Sequence, residues 1–143
     1  MASSLDEKIL LAVVRVSERF KRESAALFAV HGVSFPQYNL LRVLAGLPEE
    51  SGSVSQISNQ LLVSTPNLSG IAKRLEKTGL ISRGRDPGDE RKTVLTLQPA
   101  GRRLLALIQP LQEAKIESFL AAWPGEQKRA VLALLKQVLP PLE

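Results

Sequence analysis

The hydrophobic pattern changes from a helical to an extended period within residues 53–97, and this change restricts the possible folds more than any other feature. Two short amphipathic segments come first, and each begins with a serine of the type that caps helices. Two short helices joined by a tight turn form a helix-turn-helix. Residues 80–85 and 91–97 are then extended in character, and the turn at 86–90 places a Pro-Gly pair between aspartates. The sequence therefore predicts a helix-turn-helix followed directly by a β-hairpin with a charged tip.

Two helices are predicted before this region. Apolar residues recur at three- and four-residue steps over 5–31, which is typical of a long amphipathic helix. That helix is expected to stop at Gly32, because glycine adopts the left-handed conformation found after many helix ends. Ser34 and Gln37 have the spacing of a capping box and predict a second helix that ends before Gly46.

Two further helices are predicted after the hairpin. Thr96 is expected to N-cap a helix over 97–122, in which Pro110 should produce a bend or interrupt the hydrogen bonds. A last helix is predicted over 126–139, after a Pro-Gly break. The predicted order is α-α-α-α-β-β-α-α, a mainly α fold of the α+β winged helix-turn-helix class with a two-stranded β-wing. Because no segment has the character of a long linker, we expect a single subunit over 1–143.

Positive charge is concentrated in one part of the chain. The whole sequence has a formal net charge of +5, from 19 basic and 14 acidic residues. Residues 64–103 contain four acidic side chains and nine basic ones, namely Lys73, Arg74, Lys77, Arg83, Arg85, Arg91, Lys92, Arg102 and Arg103. The rest of the chain is balanced, so this segment carries the whole excess. Such a surplus favours a polyanion partner through phosphate contacts, although a solvated basic face without a partner is the alternative.

Composition argues against catalytic, metal-binding and membrane functions. The chain has no cysteine and a single histidine, so disulfides, zinc–thiolate sites and a thiol nucleophile are excluded, and we expect no metal or cofactor. No phosphate-binding glycine loop, nucleophile elbow or paired-carboxylate motif is present, so we expect no enzyme activity. No apolar run approaches the about 18 residues that span a bilayer, and the first residues are acidic rather than basic. We therefore expect a cytoplasmic protein without a membrane partner.

The second helix of the helix-turn-helix has a polar and cationic outward side. If Leu68 faces the core, a step of about 100° per residue places the other apolar residues of this helix within about 60° of it. The opposite side holds Pro66, Gly70, Lys73 and Lys77, with Asn67, Ser69 and Arg74 at its margins. The missing side chain at Gly70 would let this helix enter a major groove, about 12 Å wide, and the amides beside Ser64 and Thr65 would accept a phosphate. The alternatives are that Gly70 is a packing notch and that the lysines form a solvated face.

Two sequence motifs lie at the end of this helix and in the hairpin. The first is the run 74–81, Arg-Leu-Glu-Lys-Thr-Gly-Leu-Ile. The second is Asp-Glu-Arg at 89–91, followed by Leu-Thr at 95–96 and by Gly101. Together they resemble the recognition-helix end and the wing signature of the MarR family of bacterial transcription regulators. Gly101 lies one residue further along the chain than the commonest spacing in that family.

This resemblance implies a sequence-specific regulator, a repressor that binds a pseudo-palindromic operator as a homodimer. It implies that residues 34–97 bind double-stranded DNA and that 1–33 and 98–143 form the helical dimerisation region. Arg91 would reach the minor groove while Asp89 holds the hairpin through an ion pair, although Asp89 alternatively caps the turn. The residues expected to contact DNA are Ser64, Thr65, Pro66, Asn67, Ser69, Gly70, Lys73, Arg74, Lys77, Arg83, Arg85, Asp89, Arg91 and Lys92.

Apolar residues near both ends of the chain also favour a homodimer, because a monomer of this size has little to cover them. They are Leu5, Ile9, Leu10, Phe119, Leu120, Trp123, Leu132, Leu135, Leu139 and Leu142. An isologous two-fold interface would bury these residues. It would also place the two recognition helices one DNA turn, about 34 Å, apart.

Many members of the family release DNA when a small aromatic or phenolic ligand binds between the dimerisation helices and the winged helix. The resemblance therefore implies a small-molecule effector, with Arg15, His31 and Tyr38 as candidate contacts. Alternatively, His31 is only a helix-end residue and Tyr38 is part of the core. The residues also fit a second function, a winged-helix module that binds an acidic protein. Such a module would have little affinity for duplex DNA and a shallow salt dependence.

Overall fold

The computed structural model describes residues 2–140, which form six α-helices and three β-strands. The helices are α1 (Leu5–Val30), α2 (Phe35–Gly46), α3 (Val54–Leu61), α4 (Thr65–Lys77), α5 (Pro99–Phe119) and α6 (Gly125–Val138). The strands are β1 (Ser51–Ser53), β2 (Ile81–Asp86) and β3 (Asp89–Leu97), and a short 3₁₀ turn, Pro48–Glu50, precedes β1. The predicted fold class is confirmed, with α3 and α4 as the helix-turn-helix and β2 and β3 as the wing.

The sheet has three antiparallel strands rather than the two that the sequence predicts. Its order is β1-β3-β2, and β1 pairs with β3 from Ser51 opposite Thr96 to Ser53 opposite Val94. The sequence does not reveal β1 because Ser-Gly-Ser has little strand propensity, and its extended conformation depends on the pairing with β3. Through this pairing, the segment that leads from α2 to α3 is attached to the base of the wing.

Local capping signals are confirmed at the ends of α1 and α2. Ser34 Oγ accepts a hydrogen bond from the Gln37 amide at 3.3 Å, and Gln37 Oε1 accepts one from the Ser34 amide at 2.9 Å, which completes the capping box. Gly32, just after α1, has a φ of +76° and so provides the left-handed residue of the helix end. The predicted end of α2 is wrong by one residue, because the helix includes Gly46.

The predicted start of α5 is wrong as well. Thr96 belongs to β3, where its hydroxyl lies 2.9 Å from Ser51 Oγ, and Gln98 is the residue that precedes the helix. Thr96 cannot cap α5 because the pairing with β1 keeps it in the strand. Pro110 does not end α5, which continues for nine further residues to Phe119.

Aromatic rings connect α1, α2 and α5 around the core. Tyr38 of α2 is buried and stacks on Phe28 of α1, with the ring centroids 4.2 Å apart. Phe20 of α1 packs edge-on against Phe35 of α2 at 5.9 Å and against Phe119 of α5 at 6.1 Å. Edge-on and stacked pairs of this kind each contribute about 0.5–1.5 kcal/mol beyond burial of their area. The rings therefore hold α1 against α2 and α5.

Large apolar side chains remain exposed on the two terminal helices. In the first half of α1 they are Leu5, Ile9, Leu10, Leu11, Val13, Val14 and Val16, and at the end of the chain they are Leu132, Leu134, Val138 and Leu139. Trp123 is exposed, whereas Phe119, Leu120 and Leu135 are half-buried, and Leu142 lies outside the described residues. Among residues 2–140, no helix combines the length and the apolar character that a membrane crossing requires.

Candidate nucleic-acid interface and adjoining cavity

α4 turns its apolar stripe inward and its cationic side outward, as the sequence predicts. Leu68, Ala72 and Leu75 are buried in the core. Ser69 is half-buried, and the exposed residues are Thr65, Pro66, Asn67, Gly70, Lys73, Arg74 and Lys77. A Cβ atom at Gly70 would meet nothing within 4 Å among the described residues. Gly70 is therefore not a packing notch inside the subunit, and the helix backbone is open to an approaching surface there.

Hydrogen bonds at both ends define the limits of α4. The Oγ of Ser64 accepts a bond from the Asn67 amide at 3.3 Å and so caps the N-terminus. At the C-terminus, Gly79 has a φ of +76°, and the Leu80 amide donates to the Leu75 carbonyl at 3.0 Å. This arrangement is a Schellman motif, and it turns the chain from α4 directly into the first wing strand.

The wing tip is held by short-range hydrogen bonds of two aspartates. Asp86 Oδ1 accepts a bond from the Gly88 amide at 2.7 Å. Asp89 Oδ1 accepts from the Arg91 amide at 3.1 Å and from Arg91 Nε at 3.3 Å. Asp89 therefore both caps the turn and pairs with Arg91, so the two interpretations of this residue hold together. The Arg91 side chain is nevertheless 93% exposed, which leaves its guanidinium accessible at the tip.

The two arginines of β2 already have partners within the subunit. Arg83 is half-buried, and its Nη1 lies 3.9 Å from Glu76 Oε1 of α4. Arg85 is exposed, and its Nη1 donates to the Glu90 carbonyl across the hairpin at 2.7 Å. Lys92, on the neighbouring strand, is exposed. Contact of these basic residues with phosphates stays a prediction.

The residues predicted to bind DNA thus lie on two consecutive elements, α4 and the wing. The turn between them is short, so the cationic side of α4 and the exposed Arg91 belong to one continuous region of the fold. Two other arginines of the basic segment lie on α5. Arg102 pairs with Glu50 of the 3₁₀ turn, and Arg103 is exposed. Arg102 therefore stabilises the base of the wing.

A cavity of about 420 Å³ lies between α2 and α5. Its lining residues are Tyr38, Arg42, Ala45, Gly46, Leu105, Gln109, Gln112, Glu113 and Ile116. Burial raises the pKa of the Tyr38 phenol above its ordinary value, an effect that Arg42 opposes and Glu113 reinforces. A tyrosine hydroxyl is protonated at neutral pH even at its ordinary pKa of about 10, and the shift moves it further in that direction, so Tyr38 can donate a hydrogen bond.

A buried oxygen in the wall of this cavity has no hydrogen-bond partner. Gln112 is 4% exposed, and its Nε2 donates to Ser24 Oγ at 3.0 Å. Its Oε1 lacks a partner among the described residues. An unsatisfied buried acceptor of this kind costs about 1–3 kcal/mol.

Among the three residues predicted to contact a ligand, Tyr38 lines this cavity. Arg15 lies in the exposed half of α1, and His31 caps the end of α1, where its amide donates to the Phe28 carbonyl at 2.9 Å. The sequence did not lead to Arg42, Gln112 and Glu113, which also line the cavity. Arg42 follows Tyr38 by four residues on the same helix, which was a usable signal. No sequence signal pointed to the α5 residues, because they reach the cavity only through the tertiary packing of α5 against α2.

Comparison with known proteins identifies relatives of this chain. The model of the MarR family matches residues 31–92. The HTH-type transcriptional regulator TtmR of Methylorubrum extorquens strain PA1 is 38% identical over 101 residues. That match covers 71% of this chain and 51% of TtmR, so it spans about half the length of that relative.

Two solved structures share the fold. Sco3205 of Streptomyces coelicolor, a MarR family transcriptional regulator in complex with DNA, has a TM-score of 0.88 at 18% identity, covering 96% of this chain and 88% of Sco3205. BpsR of Bordetella bronchiseptica, whose DNA binding is regulated by 6-hydroxynicotinic acid, has a TM-score of 0.84 at 20% identity, covering 96% of each chain. Residues 31–92 thus match the MarR family, and the chain shares its fold with solved MarR family transcriptional regulators.

Proposed function

We propose that this chain is a homodimeric repressor that binds a pseudo-palindromic DNA operator. The proposal rests on two exposed cationic elements that follow each other in the chain. The first is the side of α4 that holds Gly70 and Lys73, and the second is the wing tip that holds Arg91. A helix open in this way fits the major groove, and an exposed arginine on the adjoining hairpin fits the minor groove. We assign DNA binding to residues 34–97 and dimerisation to 1–33 and 98–143.

The exposed apolar surface of the terminal helices supports the dimer. Leu5 is 71% exposed and Leu134 is 63% exposed, which is unfavourable for a free subunit. In the first half of α1 the apolar residues occupy most of the helix circumference, from Leu5 through Leu10 to Leu11. A helix that is apolar on most sides is usually buried on more than one side. A second copy of the chain would supply that cover and would place the two α4 helices about 34 Å apart.

Selection of genomic DNA fragments tests DNA binding and stoichiometry together. We expect the selected fragments to contain inverted half-sites about 10 base pairs apart, because each subunit presents one α4 to the same face of the duplex. The free protein should have twice the 15.6 kDa mass of one chain, and affinity should fall steeply with salt. A chain that binds as a monomer would contradict the dimer. Weak duplex binding with a shallow salt dependence would favour the acidic-protein module instead.

We also propose that the cavity between α2 and α5 binds a small aromatic or phenolic effector that lowers the affinity for DNA. Its volume, about 420 Å³, lies within the range of small-molecule sites. The polar groups in its wall are complementary to such a ligand, since the Tyr38 hydroxyl can donate a hydrogen bond and Arg42 attracts a negative charge. The regulation of BpsR by 6-hydroxynicotinic acid is consistent with this assignment.

Titration with 6-hydroxynicotinic acid tests the cavity. We expect saturable binding, a higher Tm and release of the selected operator, because a ligand that binds only the folded chain stabilises it by about 2.7 kcal/mol at 100 times its Kd. Arg42→Ala should weaken binding by about tenfold or more, as loss of a charged hydrogen-bond partner costs about 1.5–3 kcal/mol. Arg22→Ala, an exposed arginine on α1, is the control and should bind as the unmodified chain does. Equal binding by both variants, or no binding by the unmodified chain, would contradict the assignment.

A further inference from the structure

A charged contact joins the first wing strand to α4. Alternate residues of a strand share a face, so Arg83 lies on the same face of β2 as Ile81, which is buried in the core. The Nη1 of Arg83 lies 3.9 Å from Oε1 of Glu76, in the last turn of α4. The two side chains are 26% and 44% exposed, respectively, so both are partly withdrawn from solvent. Arg83 is thus directed toward α4, and Arg85, further along the strand, bonds the hairpin instead.

Glu76 is unfavourable for DNA binding when its charge alone is considered. It is the only acidic residue of α4, whose other charged residues are Lys73, Arg74 and Lys77. A carboxylate on a helix that approaches phosphates repels them. The pairing with Arg83 gives Glu76 a structural role that explains its presence among these cations.

The angle between α4 and the wing determines where the wing tip lies. Asp86, at the end of β2, is five residues beyond Ile81, or about 17 Å, so a rotation of about 10° displaces the tip by about 3 Å. A displacement of this size equals the length of a hydrogen bond and would remove Arg91 from its proposed contact with the minor groove. The opposite face of the strand is also held, because Gln98 Nε2 donates to Ser82 Oγ at 2.9 Å. The base of the wing is therefore attached on both faces.

We propose that Arg83 and Glu76 form a positioning pair that sets the angle of the wing relative to α4, and that Arg83 does not contact a phosphate. This inference rests on the proposed function, because it concerns the same DNA interface. It replaces the expectation that Arg83 reaches the DNA backbone. It also reverses the expected effect of replacing Glu76. Removal of an acidic residue normally strengthens binding to a polyanion, whereas here it should weaken binding.

The test compares Glu76→Gln, Arg83→Gln and the double variant on the selected operator at several salt concentrations. We expect each single variant to bind about three- to tenfold more weakly, because an exposed ion pair contributes little but occurs twice in the dimer. The double variant should bind no more weakly than either single variant, since both remove the same contact. The salt slope should be unchanged in Arg83→Gln. Lys73→Ala is the reference for a phosphate contact and should lower the slope by about one per subunit.

Two further variants separate positioning from charge. Glu90→Gln removes the same charge from the wing, where Glu90 is exposed and makes no ion pair with the described residues, and it should bind equally or more tightly. The charge-reversed chain, with Glu76→Arg and Arg83→Glu together, keeps both the net charge and the pair. It should therefore recover most of the affinity that the single variants lose.

The proposal is wrong if Glu76→Gln binds as tightly as the unmodified chain, or if Arg83→Gln lowers the salt slope as Lys73→Ala does. Circular dichroism shows whether each variant is folded. If a glutamine variant does not fold, the charge-reversed chain decides, because weak binding by its folded form overturns the proposal and near-normal binding supports it. Failure of the unmodified chain to bind any DNA would contradict the proposed function instead, so the two failures are distinguishable.

Discussion

Replacing Arg91 with alanine is expected to weaken operator binding by at least about tenfold while helix content and dimer mass stay unchanged. The Arg91 side chain is 93% exposed and pairs with Asp89 at 3.3 Å, so its truncation removes nothing from the core. An arginine that contacts base edges contributes about 1–3 kcal/mol, and a dimer would lose this contribution twice. Fluorescence anisotropy with the selected operator measures the affinity, and circular dichroism measures the helix content.

Arg22→Ala is the matched control for Arg91→Ala. Arg22 is an exposed arginine in the second half of α1, beyond the exposed apolar residues of the first half that are assigned to the dimer. Its replacement therefore changes the net charge by the same amount outside the proposed DNA contacts. We expect this variant to bind the operator almost normally, because the loss of a distant charge is largely screened by salt. If Arg91→Ala bound as tightly as Arg22→Ala, the wing would have no part in DNA recognition.

A large loss of stability is expected from Gly101→Ala, in the first turn of α5. A Cβ atom there would overlap the Leu80 carbonyl oxygen and lie 2.6 Å from Leu97 Cδ1. That carbonyl is backbone and accepts a bond from the Gln98 amide at 3.0 Å, so it cannot move aside cheaply. Overpacking of this kind costs about 1–3 kcal/mol, and Tm falls by about 2–4 °C per kcal/mol in a chain of this size. Thermal unfolding followed by circular dichroism measures the change.

Gly70→Ala makes the same substitution in a helix where the added Cβ meets nothing within 4 Å in residues 2–140. Alanine has the higher helix propensity, so we expect this variant to be up to about 1 kcal/mol more stable than the unmodified chain. We also expect it to bind the operator more weakly, because the new methyl group faces the groove. Equal stability of Gly101→Ala and the unmodified chain would show that α5 shifts freely against the wing. Undiminished DNA binding by Gly70→Ala would show that the α4 backbone does not approach DNA closely.

The helix ends and the hairpin followed from short stretches of sequence. Ser34 and Gln37 bond each other over three residues, and Gly32 ends α1 through its own conformational freedom. The hairpin turn depends on Asp86 and Gly88, which are two residues apart. Interactions of this range form largely regardless of the rest of the fold, so residue type and spacing were sufficient to predict them.

Other features depend on segments that are far apart in the chain. Thr96 has the residue type of an N-cap, yet its hydroxyl contacts Ser51, 45 residues away, and it stays in the strand. The cavity likewise needs Tyr38 of α2 beside Gln112 of α5. A local pattern contains no information about which distant surface it will meet, so propensity predicted the wrong role for Thr96 and missed most of the cavity wall.

In the basic segment, residues 64–103, some side-chain positions follow from the local sequence and others depend on long-range packing. Residue types and helical spacing were enough to place Lys73 and Lys77 on the outward side of α4, because the period of a helix is known and its apolar residues must face the core. For Arg83 the sequence indicated the sign of the charge and the strand, but not the partner. Packing of β2 against α4 brought its guanidinium to Glu76, since a strand has two faces and the neighbour of each face is set by long-range packing.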